Sequence, residues 1–391
     1  MSLRSSLTAA AAVLALPLTL APPALAAPPA PPPVAWIAQD GTTVTVDTAA
    51  SAVRVRGCDV DTGWVEDPAM RITGLVSGAV ATDAGTLRYR LPVRGRAAGV
   101  ATVGPQRIRG DVVTGTPDLI PGQAARLEEL RGTLTSIIDA SATNGGSVTV
   151  RDLSGRYGGQ QLSVNGDAVY KAASVIKLQI LVELLRQVEC GAYALDDEIL
   201  VTAADLVGGA GTLRSEGGFP KPVAIDRLAH LMVTVSDNSA TNILIDRVGG
   251  FDAVNALNDT IGLDQAYLGR KMIAPANPAL RQENYMTSDD MAATLAVIWD
   301  GTLLTPQHNA WILDTMRQQA VATKFKAALP PGTPLAHKTG ELGDVSHDVG
   351  YILVPGRELS ISVLTDGPRT PTGDQLVRDL TRAVYDGLVD D

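Results

Sequence analysis

The chain has 391 residues, 45% of them hydrophobic and 19% charged, with a formal net charge of −10. That apolar content suffices for a packed core, which excludes global disorder and a small staple-dependent scaffold; the length fits two domains, or one with an appendage. An acidic chain without a basic run is a poor match for nucleic acid or an anionic membrane, and neither is expected as a partner.

The first 26 residues read as a secretory signal. Arg4 supplies the positive start, Leu7 to Leu20 is apolar, and Ala24-Leu25-Ala26 is a small-x-small cleavage site. Pro17, Pro22 and Pro23 interrupt a run already shorter than the ~20 apolar residues of a span, so the expected product is secreted, with no membrane span. Export places Cys58 and Cys190 in an oxidising compartment, where a disulfide would join the two halves of the chain. A small buried thiol at Cys190, after a strongly apolar helix, is the other reading. Four scattered His and two distant Cys offer no ligand spacing, so no metal and no cofactor is expected.

Residues 27–34 form a Pro-rich spacer. From 35 to 113 short runs alternate apolar with polar, as in Thr43-Val44-Thr45-Val46, Val53-Arg54-Val55-Arg56 and Leu87-Arg88-Tyr89-Arg90-Leu91. This is the period of half-buried strands and predicts a small all-β module, of which a sandwich is one arrangement. It holds no cluster of reactive types, which suits a spacer or docking role. Residues 114–122 are turn-rich and mark a linker. The second domain, 123–391, opens on a helix from Gln123 to Ala140 with Leu127, Leu130, Leu134 and Ile137 on one face. Strands follow at Ser147–Leu153 and Gln161–Val164, the middle is helical, and strands return at Val349–Val354 and Leu359–Leu364 before a closing helix from Thr372 to Val389. Strands at both ends with helices between predict an α/β (α+β) fold: one antiparallel sheet with flanking helices and a helical region.

Three short motifs carry chemistry. In Ser174-Val175-Ile176-Lys177, the segment from Ala172 to Leu185 has only Lys177, Gln179 and Glu183 as polar residues besides Ser174. A helix apolar on nearly every face is buried. Ser174 at its start faces free backbone N–H groups, and Lys177 lies one turn on, on the same face. Desolvation lowers a lysine's pKa, and a neutral amine beside a hydroxyl can activate it as a nucleophile. The plainer reading is an N-capping Ser and a Lys whose ammonium reaches water. Ser236-Asp237-Asn238 ends a helix with Ile225, Leu228 and Met232 on one face; it reads as a cap, or as a proton-relaying hydroxyl with a substrate-holding amide. Lys338-Thr339-Gly340 reads as a turn, or as a carboxylate seat whose glycine admits substrate to a strand edge.

Taken in this order and context, the three motifs resemble those of the penicillin-recognising serine hydrolases, and among them the class A β-lactamases. The resemblance covers about 122–391, and Val207–Leu213 and Thr287–Ala292 add to it. It implies a β-lactamase/transpeptidase-like fold and acyl transfer through a Ser174 ester, on a small-molecule β-lactam or a D-alanyl peptide or ester. It implies Lys177 as base, Ser236 as proton relay and Asn238 against the substrate amide. Lys338 and Thr339 would hold the carboxylate, Gly340 completing that motif, and the backbone N–H groups of Ser174 and Glu341 would form the oxyanion hole. A monomer is expected. A D-alanyl peptidase and a non-catalytic penicillin- or cell-wall-binding protein are the alternatives.

One departure stands out. The family's loop glutamate, which activates the deacylating water, has no counterpart: no glutamate occurs between Glu216 and Glu283, and Tyr267 falls about where the acid belongs. Glu283, near the loop's far end, falls where the family more often has a structural ion pair. This pattern resembles class A-related hydrolases that lack the hydrolytic base. His347-Asp348 invites a triad, but neighbours in a strand point to opposite faces, so a structural or cleft-edge His is expected.

Overall fold

The structure, a computed structural model, describes residues 34–114 except 38–42, 48–49, 59–60, 73–74, 83–84, 93–94 and 104–105, and residues 121–390 except 302. The expected signal at 1–26, nearly all of the spacer and most of the linker lie outside the described residues. Residues 32–391 form one compact unit.

In chain order, nine strands come first: β1 (Val34–Ile37), β2 (Thr43–Asp47), β3 (Ala52–Arg56), β4 (Val65–Glu66), β5 (Arg71–Ile72), β6 (Leu75–Thr82), β7 (Gly85–Pro92), β8 (Gly95–Val103) and β9 (Gln106–Thr114). Helix α1 (Pro121–Ala140) leads to β10 (Gly145–Asp152), β11 (Gln161–Val164) and the short β12 (Tyr170–Lys171). Then come α2 (Lys177–Glu189), β13 (Glu198–Val201), β14 (Lys221–Ala224), α3 (Ile225–Thr234), α4 (Asn238–Arg247) and α5 (Phe251–Thr260). The chain ends with β15 (Tyr285–Met286), α6 (Ser288–Asp300), α7 (Pro306–Arg317), α8 (Phe325–Ala328), β16 (Leu335–Glu341), β17 (Ser346–Ile352), β18 (Leu359–Asp366) and α9 (Asp374–Leu388).

The first nine strands make one continuous antiparallel sheet, in the order β4-β3-β2-β1-β9-β8-β7-β6-β5, rather than the two facing sheets of a sandwich. The reason is β1, which pairs with β2 on one side and β9 on the other and so joins the two runs edge to edge. The alternation works as expected within strands: Val44, Val46, Val53 and Val55 are buried, as are Leu87, Tyr89 and Leu91. In β3 the intervening Arg54 and Arg56 are buried too. Arg54 pairs with Asp61, and an Arg56 amino group donates to Ala256 O at 3.1 Å and Thr260 Oγ1 at 2.8 Å on α5. A disulfide joins Cys58 to Cys190 across 132 residues of sequence. It fastens the end of β3 to the C-terminus of α2.

The second sheet has five antiparallel strands in the order β11-β10-β18-β17-β16, which leaves β16 at an edge. Helices α1 and α9 cover one face: Leu130, Leu134, Leu376, Val377 and Leu380 pack with Val148, Val150, Ile361 and Val363. The larger core lies on the other side and is built from α2 to α7. Helix α2 sits at its centre, with every residue from Lys177 to Leu185 buried. Its polar side chains meet partners in place: Gln179 donates to Thr294 at 2.9 Å, with its Oε1 left without a donor, and Glu183 takes Arg186 in a fork at 2.8 Å. Among the described residues no helix is long and apolar enough to cross a membrane.

Candidate active site

The cleft forms where the start of α2, the α3–α4 junction and the edge strand β16 meet. Ser174 sits in a short 3₁₀ turn, Ala173–Ile176, that runs into α2. Ala173 before it has φ 46°, and Ser236 across the cleft has φ 55°, both in the left-handed region that non-glycine residues rarely occupy. Such backbone persists only where surrounding contacts over-determine it, and it concentrates at functional sites.

Lys177 is fully buried. Its Nζ lies 2.7 Å from Ser236 O, 3.0 Å from Ser236 Oγ and 3.0 Å from Asn238 Oδ1. Burial first, then the charge of Lys338, holds its pKa well below the ordinary lysine value, with Asp237 opposing. A neutral amine has two hydrogens and one lone pair. The carbonyl of Ser236 and the amide oxygen of Asn238 can only accept, so they take the two hydrogens. The lone pair is left for a hydroxyl, either that of Ser236 or that of Ser174 one turn back.

Ser236 Oγ is also 3.1 Å from the Nζ of Lys338, whose ammonium reaches Thr339 O at 2.7 Å. The hydroxyl therefore lies between two amines: the Lys338 ammonium donates to Ser236 Oγ, which leaves the hydroxyl's own hydrogen for the lone pair of a neutral Lys177. Lys338 is fully buried as well, and its pKa is pushed down to about 7 by burial and by Lys324, against Asp348 and Glu341. The capping reading of the second motif is seen directly. Asp237 caps α4 by accepting from Ala240 N at 2.9 Å, while its other oxygen accepts from Thr212 N and Leu213 N at 2.7 Å each. That second pair fixes the loop 207–213 over the cleft, and Gly211 is required there because a Cβ would stand 2.2 Å from the Asp237 carboxylate. Asn238 bridges Lys177 and Gly208 O, so one amide hydrogen and one lone pair remain for a substrate.

The third motif is not a turn. Lys338, Thr339, Gly340 and Glu341 lie inside β16, paired with Val349, Asp348, His347 and Ser346 of β17. Gly340 has an ordinary strand backbone; its role is close approach, since a Cβ would lie 3.1 Å from Val175 N and 3.2 Å from Ala172 O. The absent side chain lets the Ser174 turn lie against the strand edge. The structure thus gathers Ser174, Lys177, Ser236, Asn238, Lys338, Thr339, Gly340 and Glu341 around one cleft.

His347 and Asp348 separate as the strand geometry requires. His347 is buried, bonded to Lys171 O at 2.8 Å and accepting from Thr365 N at 3.1 Å, and burial pushes its pKa down to about 4. Asp348 accepts from His337 Nδ1 at 2.8 Å and Phe325 N at 3.0 Å.

The loop from Leu263 to Tyr285 borders the site. Tyr267 and Tyr285 exchange backbone bonds at 3.0 and 2.9 Å, Tyr285 pairs with Lys171, and Ala172 N donates to Asn284 O at 2.8 Å. Tyr267 therefore stands one strand beyond the segment that runs into Ser174, and its ring carries the Arg281 guanidinium at 4.3 Å. Glu283 is buried and committed to Arg270, with its Oε1 2.7 Å from Arg270 Nε and accepting from Asn284 N at 2.8 Å.

Sequence reading missed Lys324. It is fully buried, paired with Glu341, and acts electrostatically on Lys338. The available signal was its type: the chain holds 25 Arg and only 7 Lys, and three of the seven are the buried lysines of this cleft.

Residues 129–388 match the Beta-lactamase enzyme family. The extended-spectrum β-lactamase PER-1 of Pseudomonas aeruginosa is 25% identical over 242 residues, covering 58% of this chain and 78% of that enzyme. The solved structure of PBP-A superposes with a TM-score of 0.63 at 28% identity, over 71% of this chain and 100% of PBP-A. The acyl-enzyme complex of a PBP-A mutant with penicillin G gives 0.61 at 30% identity, over 68% of this chain and 98% of the other. With the family match spanning more than half of its length, the chain belongs to the β-lactamase enzyme family, and its fold is that of the class A enzymes.

Proposed function

We propose that the protein is an exported serine hydrolase that acylates itself on Ser174 with β-lactams and releases the acyl group slowly. The observation that carries this reading is the unbroken contact line from Lys177 through Ser236 to Lys338, beside the Ser174 turn. Lys177 takes the proton of Ser174 as Oγ adds to the lactam carbonyl. The developing oxyanion is held by the N–H groups of Ser174 and Glu341. The C–N bond then breaks, and the leaving nitrogen receives a proton from Ser236, which recovers one from Lys177. Lys338 and Thr339 hold the donor's carboxylate, and Asn238 meets its amide with the capacity left to it. The complex of the PBP-A mutant with penicillin G is an acyl-enzyme on a similar fold, which supports β-lactams as acyl donors.

Slow release follows from the loop. Deacylation requires a base for water, Tyr267 is not one, and Glu283 is neutralised by Arg270. A positioned base contributes roughly 10²–10⁴-fold, and the acyl-enzyme accumulates without it. This same absence favours a D-alanyl peptide or ester as the second reading of the substrate. Export is supported by Arg4, the apolar run and the Ala24-Leu25-Ala26 site, together with the Cys58–Cys190 disulfide. The test is intact mass after exposure to penicillin G, with a chromogenic cephalosporin followed by stopped flow. A Ser174 adduct with a burst of one equivalent is expected. Burst-free hydrolysis at many turnovers per second, with no adduct, refutes slow release. Absence of both adduct and turnover leaves the protein a non-catalytic binder.

A further inference from the structure

The nine-stranded sheet has one face that the hydrolase chemistry does not use. Successive strand residues alternate between faces, and cross-strand partners share one. Leu87, Tyr89 and Leu91 of β7 are buried on the inner face, while Arg88 and Arg90 between them are exposed on the outer. Register carries the outer face across five strands. Arg90 stands opposite Ser77 of β6, and Ser77 opposite Arg71 of β5, which is exposed too. In the other direction Arg90 stands opposite Val100 of β8, and Val100 opposite Arg109 of β9. A second row runs from Ala79 through Arg88 and Thr102 to Arg107, and Arg96 falls on the same face of β8. Among the described residues of β5 to β9, this face therefore holds six arginines and one acid, Asp111. Neighbouring arginines are roughly 7 Å apart along a strand and about 10 Å apart across two strands, a spacing at which like charges repel. Guarding a sheet edge does not account for them, because β7, β8 and β9 are interior strands. The positions between them are small or uncharged, and the exposed Ala79 offers nothing to neutralise them.

We propose that the outer face of β5 to β9 docks the protein on a linear polyphosphodiester outside the cell. Arginine is the side chain suited to this ligand, since its planar fork takes two phosphate oxygens at once and never loses its charge. A flexible chain with repeated phosphates can lie along a row of arginines and relieve their mutual repulsion. Nucleic acid fits this face less well: the outer positions include no aromatic residue for bases to stack on, and a broad sheet does not enter a duplex groove. A flat anionic bilayer would also meet the rest of the protein, where residues 122–391 carry 33 acids against 22 basic residues. A thin polymer meets the arginines alone. The inference rests on export and not on acyl transfer, so binding is measured without any acyl donor.

The experiment titrates the full chain with poly(glycerol phosphate) and reads affinity at several salt concentrations. With Arg88, Arg90, Arg107 and Arg109 each displacing about 0.7 counterion, affinity is expected to fall about 50-fold between about 50 and 200 mM NaCl. Arg88→Gln/Arg90→Gln weakens binding about tenfold or more at the lower salt and removes about 1.4 from the log–log slope. Arg317→Gln/Arg382→Gln, on the exposed surfaces of α7 and α9, keeps affinity within about twofold and supports a local site over a general charge effect. The proposal is overturned if the polymer does not bind at the lower salt, or if the β7 double variant, with native circular dichroism, binds it within twofold of the unmodified protein. Tighter binding to phosphatidylglycerol vesicles or to a short DNA duplex than to the polymer also overturns it, in favour of a membrane or a nucleic acid. A dimer in sedimentation that the β7 double variant dissolves would seat a second, acidic copy on this face instead.

Discussion

Two walls of one cleft treat charge in opposite ways. On the Ser174 side, Lys177 and Lys338 are buried without a carboxylate partner of their own, and desolvation holds both below the ordinary lysine range. On the loop side, Glu283 is buried with its guanidinium partner, and Tyr267 carries no acid at all. An unpaired buried amine becomes a base, whereas a carboxylate paired with Arg270 becomes a brace. The same physical cost of burying charge thus gives two depressed amines on one wall and a fully paired carboxylate on the other, and the proposed slow release rests on that asymmetry.

The largest effect breaks the first wall. Ser174→Ala abolishes the penicillin adduct seen by intact mass, and Lys177→Ala slows its formation by about 10²–10⁴-fold with an unchanged far-ultraviolet spectrum. A Ser174→Ala protein that still gains the mass of penicillin would remove the nucleophile from the account. Next, the second wall can be given what it lacks. Tyr267→Glu is expected to speed loss of the adduct by about 10²-fold, the low end of what a positioned base supplies, whereas Glu283→Gln leaves that rate unaltered. Slower loss in Glu283→Gln would show that the Arg270 pair opens to release a working base.

A smaller effect comes from pH. With its pKa pushed down to about 7, Lys338 is charged below that value and neutral above it. Acylation by an anionic penicillin therefore falls as pH rises through about 7, by up to about tenfold per pH unit. Lys338→Arg, whose cation persists, moves this descending limb to higher pH. Smallest on the chemistry is the scaffold: Cys58→Ser/Cys190→Ser keeps acylation within about twofold while lowering stability by about 2–5 kcal/mol, read by denaturant titration. A larger change in acylation would show that the nine-stranded sheet tunes the site through α2.

The motif residues were legible in the sequence because their chemistry depends on near neighbours. Ser174 and Lys177 are one turn apart, and an apolar run announces a buried helix. The terminal strands and the α1 and α9 helices were legible for the same reason, since periods of two and 3.6 are local. What escaped was set by partners distant in the chain. Lys324, Glu341 and Arg369 are spread over 46 positions, and nothing in their spacing joins them. Gly340 looked equally apt for a turn because a glycine kept for close approach leaves no trace of what approaches it. The single sheet in place of a sandwich escaped too, since alternation tells which face a residue takes but not which strand lies beside it.

The Cys58–Cys190 bond also changes how the molecule carries mechanical load. A pull applied upstream of residue 58 and downstream of residue 190 travels through the two sulfurs and bypasses everything between them. That sheltered loop contains six of the nine strands of the first sheet, helix α1, and both Ser174 and Lys177. Along the covalent chain, tension comes nearest to Ser174 at the C-terminal end of α2. A single proteolytic cut anywhere from 59 to 189 leaves both pieces on one covalent chain, migrating together on a non-reducing gel and apart on a reducing one.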